Sequence, residues 1–159
     1  MKDVRYDNAS SVYFEPSSGL VATACSLSVV KPDGGQFSAP STTLPSASTT
    51  VAAGSTTLAL SVASASGFAV GEKIRLDSQG TIQTPKIARI AGSVLHLSAG
   101  LSHAPEVGDA VRSIRITASL PAFGESNLGT DYRLEWNASD GSHSEFSGEL
   151  LNVVRWPFV

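Results

Sequence analysis

The apolar residues of this chain come in short alternating runs. No long stretch repeats them at positions i, i+3, i+4 and i+7 with caps at both ends. Fourteen Gly and eight Pro break the runs, and β-branched residues are frequent within them. Such a pattern cannot bury a helical stripe, but it can bury one face of many short strands. The expected fold class is therefore all-β.

Leu20 to Val30 reads as the first strand, with Leu27 and Val29 alternating against Ser26 and Ser28. Lys31-Pro32-Asp33-Gly34-Gly35 supplies turn chemistry: a fixed φ, a side chain that bonds its own backbone, and residues that accept positive φ. Residues 38–54 are rich in Ser, Thr, Ala and Pro and read as a linker, with a short strand near Thr42 to Leu44. From Ser55 to Arg112, five or six short strands follow within 58 residues. Leu58, Leu60 and Val62, then Ile74 and Leu76, then Leu95 and Leu97 mark its inward positions. A small barrel would close such strands without free edges.

The outer pattern resumes at Ser113, with Ile114, Ile116 and Ala118 on one face. Tyr132, Leu134 and Trp136 share a face in the next run, and Asp140-Gly141 marks a hairpin turn. The return strand carries Phe146, Leu150, Leu151, Val153 and Val154, where the change of parity predicts a register shift near Gly148. The strand near 20–30 has no partner close in sequence, so its partners are expected between 113 and 155. The architecture expected is an immunoglobulin-like β-sandwich interrupted by a small inserted β-barrel module. Residues 1–19 form an N-terminal arm, 20–54 and 113–159 the outer sandwich with its linker, and 55–112 the insert. Four or five clear outer strands fall short of the seven of a full immunoglobulin domain.

Charged residues make up 16% of the 159, against about 25% in average domains, and Ser and Thr cover the surface instead. A net charge of −3 argues against a phosphate-backbone binder, so no sequence-specific nucleic-acid binding is expected. There is no run of about 20 apolar residues for a membrane span, and the opening Met1 to Asp7 has no apolar signal segment. Cys25 is the only cysteine, which excludes an internal disulfide and a cysteine-based zinc site. In its apolar run it reads as a small hydrophobe rather than a reactive thiol.

The residues that carry chemistry are dispersed. His96, His103 and His143 show no metal-ligand spacing. Asp131, Glu135, Asp140, Glu145 and Glu149 share one hairpin, where Glu135 and Glu145 could oppose each other. A solvated hairpin face lacks the cleft and the apolar pocket that paired catalytic carboxylates need. There is no Gly-x-Ser-x-Gly elbow and no Gly-x-Gly-x-x-Gly phosphate loop. Asn8-Ala9-Ser10 and Asn137-Ala138-Ser139 match the glycosylation acceptor, a triplet common by chance. The reading is a protein that is not an enzyme, with no catalytic residues, no metal site and no cofactor.

Two apolar clusters lie near the ends. Tyr13 and Phe14 are the large apolar pair of the first nineteen residues. They belong either to a frayed tail or to an arm docked on a neighbouring subunit. Arg155-Trp156-Pro157-Phe158-Val159 is aromatic and rich in interface-type residues. It either packs on its own sandwich, with Trp136, or docks on an adjacent subunit. Tyr13, Phe14, Arg155, Trp156 and Phe158 are accordingly the candidate subunit-interface residues.

Thr57 to Leu60, Gly67-Phe68-Ala69-Val70-Gly71-Glu72-Lys73-Ile74 and Leu101 to Val111 resemble the opening, centre and close of small β-barrel modules in tailed-bacteriophage structural proteins. Tyr132 to Trp136, Asp140-Gly141 and Val153-Val154-Arg155-Trp156-Pro157 are similar to the ending of small phage neck or head-tail connector proteins. The resemblance covers about two thirds of the chain. It implies a virion structural protein, assembled in the host bacterial cytoplasm, that forms a homo-oligomeric ring between portal or adaptor and tail proteins. A capsid decoration or tail-associated protein is the alternative of the same class. A carbohydrate-binding module or adhesin, with Trp136 or Tyr132 as a stacking platform, is the alternative of another class.

Overall fold

A computed structural model describes residues 2–155. These residues are nearly all β, and a single 3₁₀ turn at Glu125–Asn127 is their only helical element. The strands are β1 Lys2–Arg5, β2 Ser10–Phe14, β3 Ala24–Val30, β4 Gln36–Ser38, β5 Thr42–Thr43, β6 Ser48–Thr50, β7 Ala59–Ser61 and β8 Ile74–Ser78. They continue with β9 Thr81–Gln83, β10 Ile87–Ala91, β11 Val94–Leu97, β12 Ala110–Ser113, β13 Ile116–Leu120, β14 Gly129–Ser139 and β15 Ser144–Val154. The chain divides into two compact units. One comprises Met1–Phe14, Thr23–Leu44 and Ile116–Val159, as far as these are described; the other comprises Glu15–Ala22 and Pro45–Arg115.

The first unit is a β-sandwich. A five-stranded sheet runs β1-β15-β14-β3-β4, and a three-stranded sheet runs β2-β13-β5. Strict alternation builds the core of the larger sheet. Tyr132, Leu134, Trp136 and Ala138 of β14 are buried, while Arg133, Glu135 and Asn137 between them are exposed. Leu27 and Val29 of β3 lie opposite Trp136 and Leu134 and are buried with them. The smaller sheet adds Val12, Ile116, Ala118 and Leu120. An aromatic cluster fills one region: Phe37 stacks on Phe123 at 4.5 Å, and Tyr132 meets Phe123 edge-on at 5.4 Å. The Tyr132 hydroxyl donates to the Asn127 carbonyl at 3.0 Å, so the buried ring keeps a partner for its polar end.

Three details depart from the sequence reading. The expected arm is ordered: β1 pairs in parallel with β15, from Lys2 opposite Leu151 to Arg5 opposite Val154, and β2 pairs with β13. Val4 and Val12 are buried, so these short strands are held by packing as well as by their ladders. The register irregularity lies between Gly129 and Tyr132, where Asp131 takes φ 66°, and not near Gly148. Pairing is regular from Tyr132 to Ser139, which sends Phe146 and Leu150 to the outer face instead of shifting the strand. Finally, Glu135 lies opposite Gly148, and Glu145 opposite Ala138, so the two carboxylates do not face each other.

The second unit contains the sheets β6-β12-β8-β9 and β10-β11-β7. Val51, Leu60, Val62, Phe68, Ile74, Leu76, Ile87, Leu95, Leu97 and Val111 form its core. The sheets are joined at both margins. A bridge links Val51 and Val62, flanked by bonds from Ala52 N to Ser61 O (2.7 Å) and Ala63 N to Thr50 O (3.0 Å). A second links Lys73 and Lys86, flanked by bonds from Ile74 N to Pro85 O and from Ile87 N to Glu72 O, both 2.9 Å.

This unit is larger than residues 55–112. The Ser/Thr-rich stretch expected as linker supplies β6, which pairs with β12. Thr suits a strand, but Ser48–Thr50 carries no apolar alternation to reveal it. Residues 15–22 also belong here, with Leu20 and Ala22 buried. Gly19 sits at φ 78°, and a Cβ there would come within 2.9 Å of the Thr84 methyl. Only glycine allows this close approach.

Candidate functional site

Each histidine has its own polar neighbours. His96 Nε2 lies 3.2 Å from the Arg89 guanidinium across the β10–β11 pair. His103 shares a surface cluster with Ser102 and Gln83. Ser102 Oγ donates to Gln83 Oε1 at 3.0 Å and lies 3.3 Å from His103 Nδ1, while His103 Nε2 is 3.4 Å from Gln83 Nε2. The Ser102 hydroxyl has one proton and donates it to Gln83 Oε1, so in this arrangement it is not directed at the imidazole. His143 closes the β14–β15 turn, where its N–H and that of Ser142 donate to Asp140 Oδ1 at 2.7 and 2.8 Å. Those two donors hold the Asp140 carboxyl below its usual range. Among the described residues, no three His, Cys, Asp or Glu side chains come together to hold a metal ion. None of their helices is long and apolar enough to cross a membrane. Cys25 is half-buried, and desolvation pushes its thiol up, away from the reactive thiolate.

One buried ionic cluster stands inside the second unit. Glu72 is 4% exposed, and its Oε1 has no hydrogen-bond partner in the structure. Burial raises its pKa; a hydrogen bond from the Ala69 region and the charge of Arg115 oppose the rise, and Glu15 adds to it. Arg115 pairs with Glu15 at 3.5 Å and donates to the Gly71 carbonyl at 3.0 Å. Glu15 also accepts from the Lys73 backbone N–H. One guanidinium thus serves two carboxylates where Glu15 and Arg115 bound the unit in sequence.

The five candidate interface residues separate. Tyr13 is 50% exposed, with the Lys2 amine 6.0 Å from its ring centre. Its neighbour on β2 points the other way: Phe14 stacks on Trp136 at 5.8 Å inside the sandwich. Arg155 lies over the Tyr6 ring at 5.8 Å and pairs with Glu125 within its own unit. Trp156 and Phe158 lie outside the described residues. Trp136 and Tyr132 are 2% and 4% exposed, so neither ring offers the face that sugar stacking needs.

A surface feature not singled out in the sequence lies on the outer face of the five-stranded sheet. Phe146 is 73% exposed and Leu150 43%, on the same face of β15 with Gly148 between them. A shallow hollow of about 270 Å³ is lined by Glu135, Trp136, Phe146, Ser147 and Gly148. A Cβ added at Gly148 would meet nothing within 4 Å. On β14, Asn137 stands opposite Phe146, Glu135 opposite Gly148 and Arg133 opposite Leu150. The alternation of Phe146, Gly148 and Leu150 marks a shared face, opposite to that of Leu151 and Val153 on the same regularly paired strand.

The motif residues are chiefly turn chemistry. Gly67 and Gly71 take φ 84° and 88° around buried Phe68. Asp109 Oδ2 accepts from Glu106 N at 2.8 Å, and Gly108 N donates to Val51 O at 2.8 Å, fastening the closing turn. No protein-family model, no curated protein and no solved structure matches this chain.

Proposed function

We propose that this chain is an assembly protein, a structural component of a tailed-phage virion at the head-tail junction, forming a ring between portal or adaptor and tail. The observation that carries the assembly reading is the Phe146-Gly148-Leu150 stripe, an apolar patch on the open face of β15, on the part of the strand that β1 does not reach, in a weakly charged chain. Patches of this kind mark surfaces that other proteins cover. The phage assignment rests on the resemblance of residues 57–60, 67–74, 101–111, 132–136, 140–141 and 153–157. The joined margins of the second unit support its reading as a small barrel of the kind that resemblance implies. Exposed Tyr13 on the edge strand β2 gives a second contact site.

A ring needs heterologous contacts that close by rotation. Sizing by light scattering, with negative-stain images, should show a closed multimer or binding to portal and tail particles. A chain that stays monomeric near 1 mM and joins neither particle refutes the proposal.

A further inference from the structure

The outer face of the five-stranded sheet is complementary to itself. Consider a two-fold axis in the plane of an interface, crossing the strands at the level of Trp136 and Ser147, which lie opposite each other. It places every residue of one copy over a residue equally far on the other side of that level. Phe146 then stands over the second copy's Gly148, and the reverse contact forms at the same time. Glu135 stands over Asn137, again twice, since those two flank Trp136 on β14. On β3, Ser28 and Ser26 lie opposite Glu135 and Asn137, and they fall over each other. Arg133 falls over Ser139, one residue from the Asp140 turn.

Each of these pairs is favourable in kind. A phenyl ring meets the hollow that the missing side chain of Gly148 leaves. A carboxylate accepts from an amide. Small hydroxyls let the strands of β3 approach closely. The Arg133 guanidinium, which pairs with Glu135 of its own copy at 3.1 Å, comes near the Asp140 turn of the second copy. No like charges are placed together. Only β3, β14 and β15 run the length of this face; three strands about 4.8 Å apart and about eight residues long give roughly 400 Å². A standard interface covers about 800 Å² per partner.

We propose that a second copy of this chain docks on this face across a two-fold axis, with Phe146 of each copy seated over Gly148 of the other. The contact is isologous, so a ring does not require it; it draws on the same exposed stripe as the assembly reading but not on the head-tail assignment. Its size predicts a weak, concentration-dependent dimer.

Sedimentation of the full chain from 1 µM to 1 mM tests it. The wild type should pass from monomer to dimer. Phe146→Ser and Gly148→Val should each raise the dissociation constant by about tenfold or more. Asn137→Asp should do the same, because it sets a carboxylate against the partner's Glu135. Adding Glu135→Gln to Asn137→Asp restores an amide-carboxylate pair and should restore the dimer. All four positions face solvent, and unchanged thermal unfolding verifies that the variants are folded. A monomer at every concentration, or a dimer indifferent to Phe146→Ser and Asn137→Asp, overturns the inference. A ring unaffected by Phe146→Ser overturns it while leaving the ring proposal intact. A sensitive dimer with no larger assembly upholds it and counts against the ring.

Discussion

Trp136 and Phe14 provide the sharpest test of the sandwich. Trp136 is 2% exposed in the centre of β14 and stacks on Phe14, contributed by β2 far away in sequence. Trp136→Ala removes a fully buried aromatic, a change that costs about 3–5 kcal/mol. Phe14 is half-buried, so Phe14→Ala should cost less, about 2 kcal/mol. The ring pair contributes about 0.5–1.5 kcal/mol beyond burial, and this term is lost with either partner. The double variant should therefore be more stable than the sum of the single losses predicts, by about 1 kcal/mol. Urea unfolding followed by far-ultraviolet circular dichroism measures all four corners of the cycle. Trp136→Ala alone should lower the melting temperature by about 6–20 °C in a chain of this size. A loss below about 1 kcal/mol for Trp136→Ala, or zero coupling with Phe14, would refute the placement of β2 over β14. In that case Phe14 would return to the role of an anchor for another subunit.

Further consequences concern the second unit. Glu72 has a raised folded pKa, so between its ordinary value of 4.5 and that higher value the folded state binds more protons than the unfolded state. Stability should rise as pH falls through this window, and Glu72→Gln should flatten that slope in denaturant titrations at several pH values. Arg115→Leu leaves Glu15 and Glu72 without their shared cation and should cost about 3 kcal/mol, read as a shift in the denaturation midpoint. Gly67→Ala places a side chain at φ 84° and a Cβ 3.0 Å from that of Ala47, and should cost about 1–2 kcal/mol in thermal unfolding.

The all-β class and the sandwich were legible because burial imposes a period of two on a strand that faces a core. β14 displays that period from Tyr132 to Ala138, and β3, β8 and β11 do so nearly as well. The turn at Asp140-Gly141 was legible for a different reason, since its side-chain chemistry is local. What escaped the sequence was long-range pairing. Nothing within Lys2–Arg5 says that it adds in parallel to Ser144–Val154, and a four-residue strand with one buried side chain has no periodicity to read. Ser48–Thr50 was hidden in the same way by its polar composition. The outward stripe is hidden in the sequence because the parity of Phe146, Gly148 and Leu150 opposes that of Leu151 and Val153, a change that a register shift near Gly148 would equally explain. Of the interface candidates, type identified Tyr13 and Phe14 together, while strand alternation sends one outward and the other inward.

The parallel pairing of β1 with β15 also dictates an order of events during synthesis. Val4 meets its partner Val153 only after nearly 150 further residues have been made. Until then β1 has no strand to join, and the loop that its pairing closes is as long as the chain allows. The second unit has most of its strands in one continuous stretch, residues 45–115, and its core residues lie within it. It can therefore condense while the sandwich is still open, with Glu15–Ala22 already waiting upstream. A truncation that removes only the last strand should leave a folded inner unit attached to an unclosed sandwich.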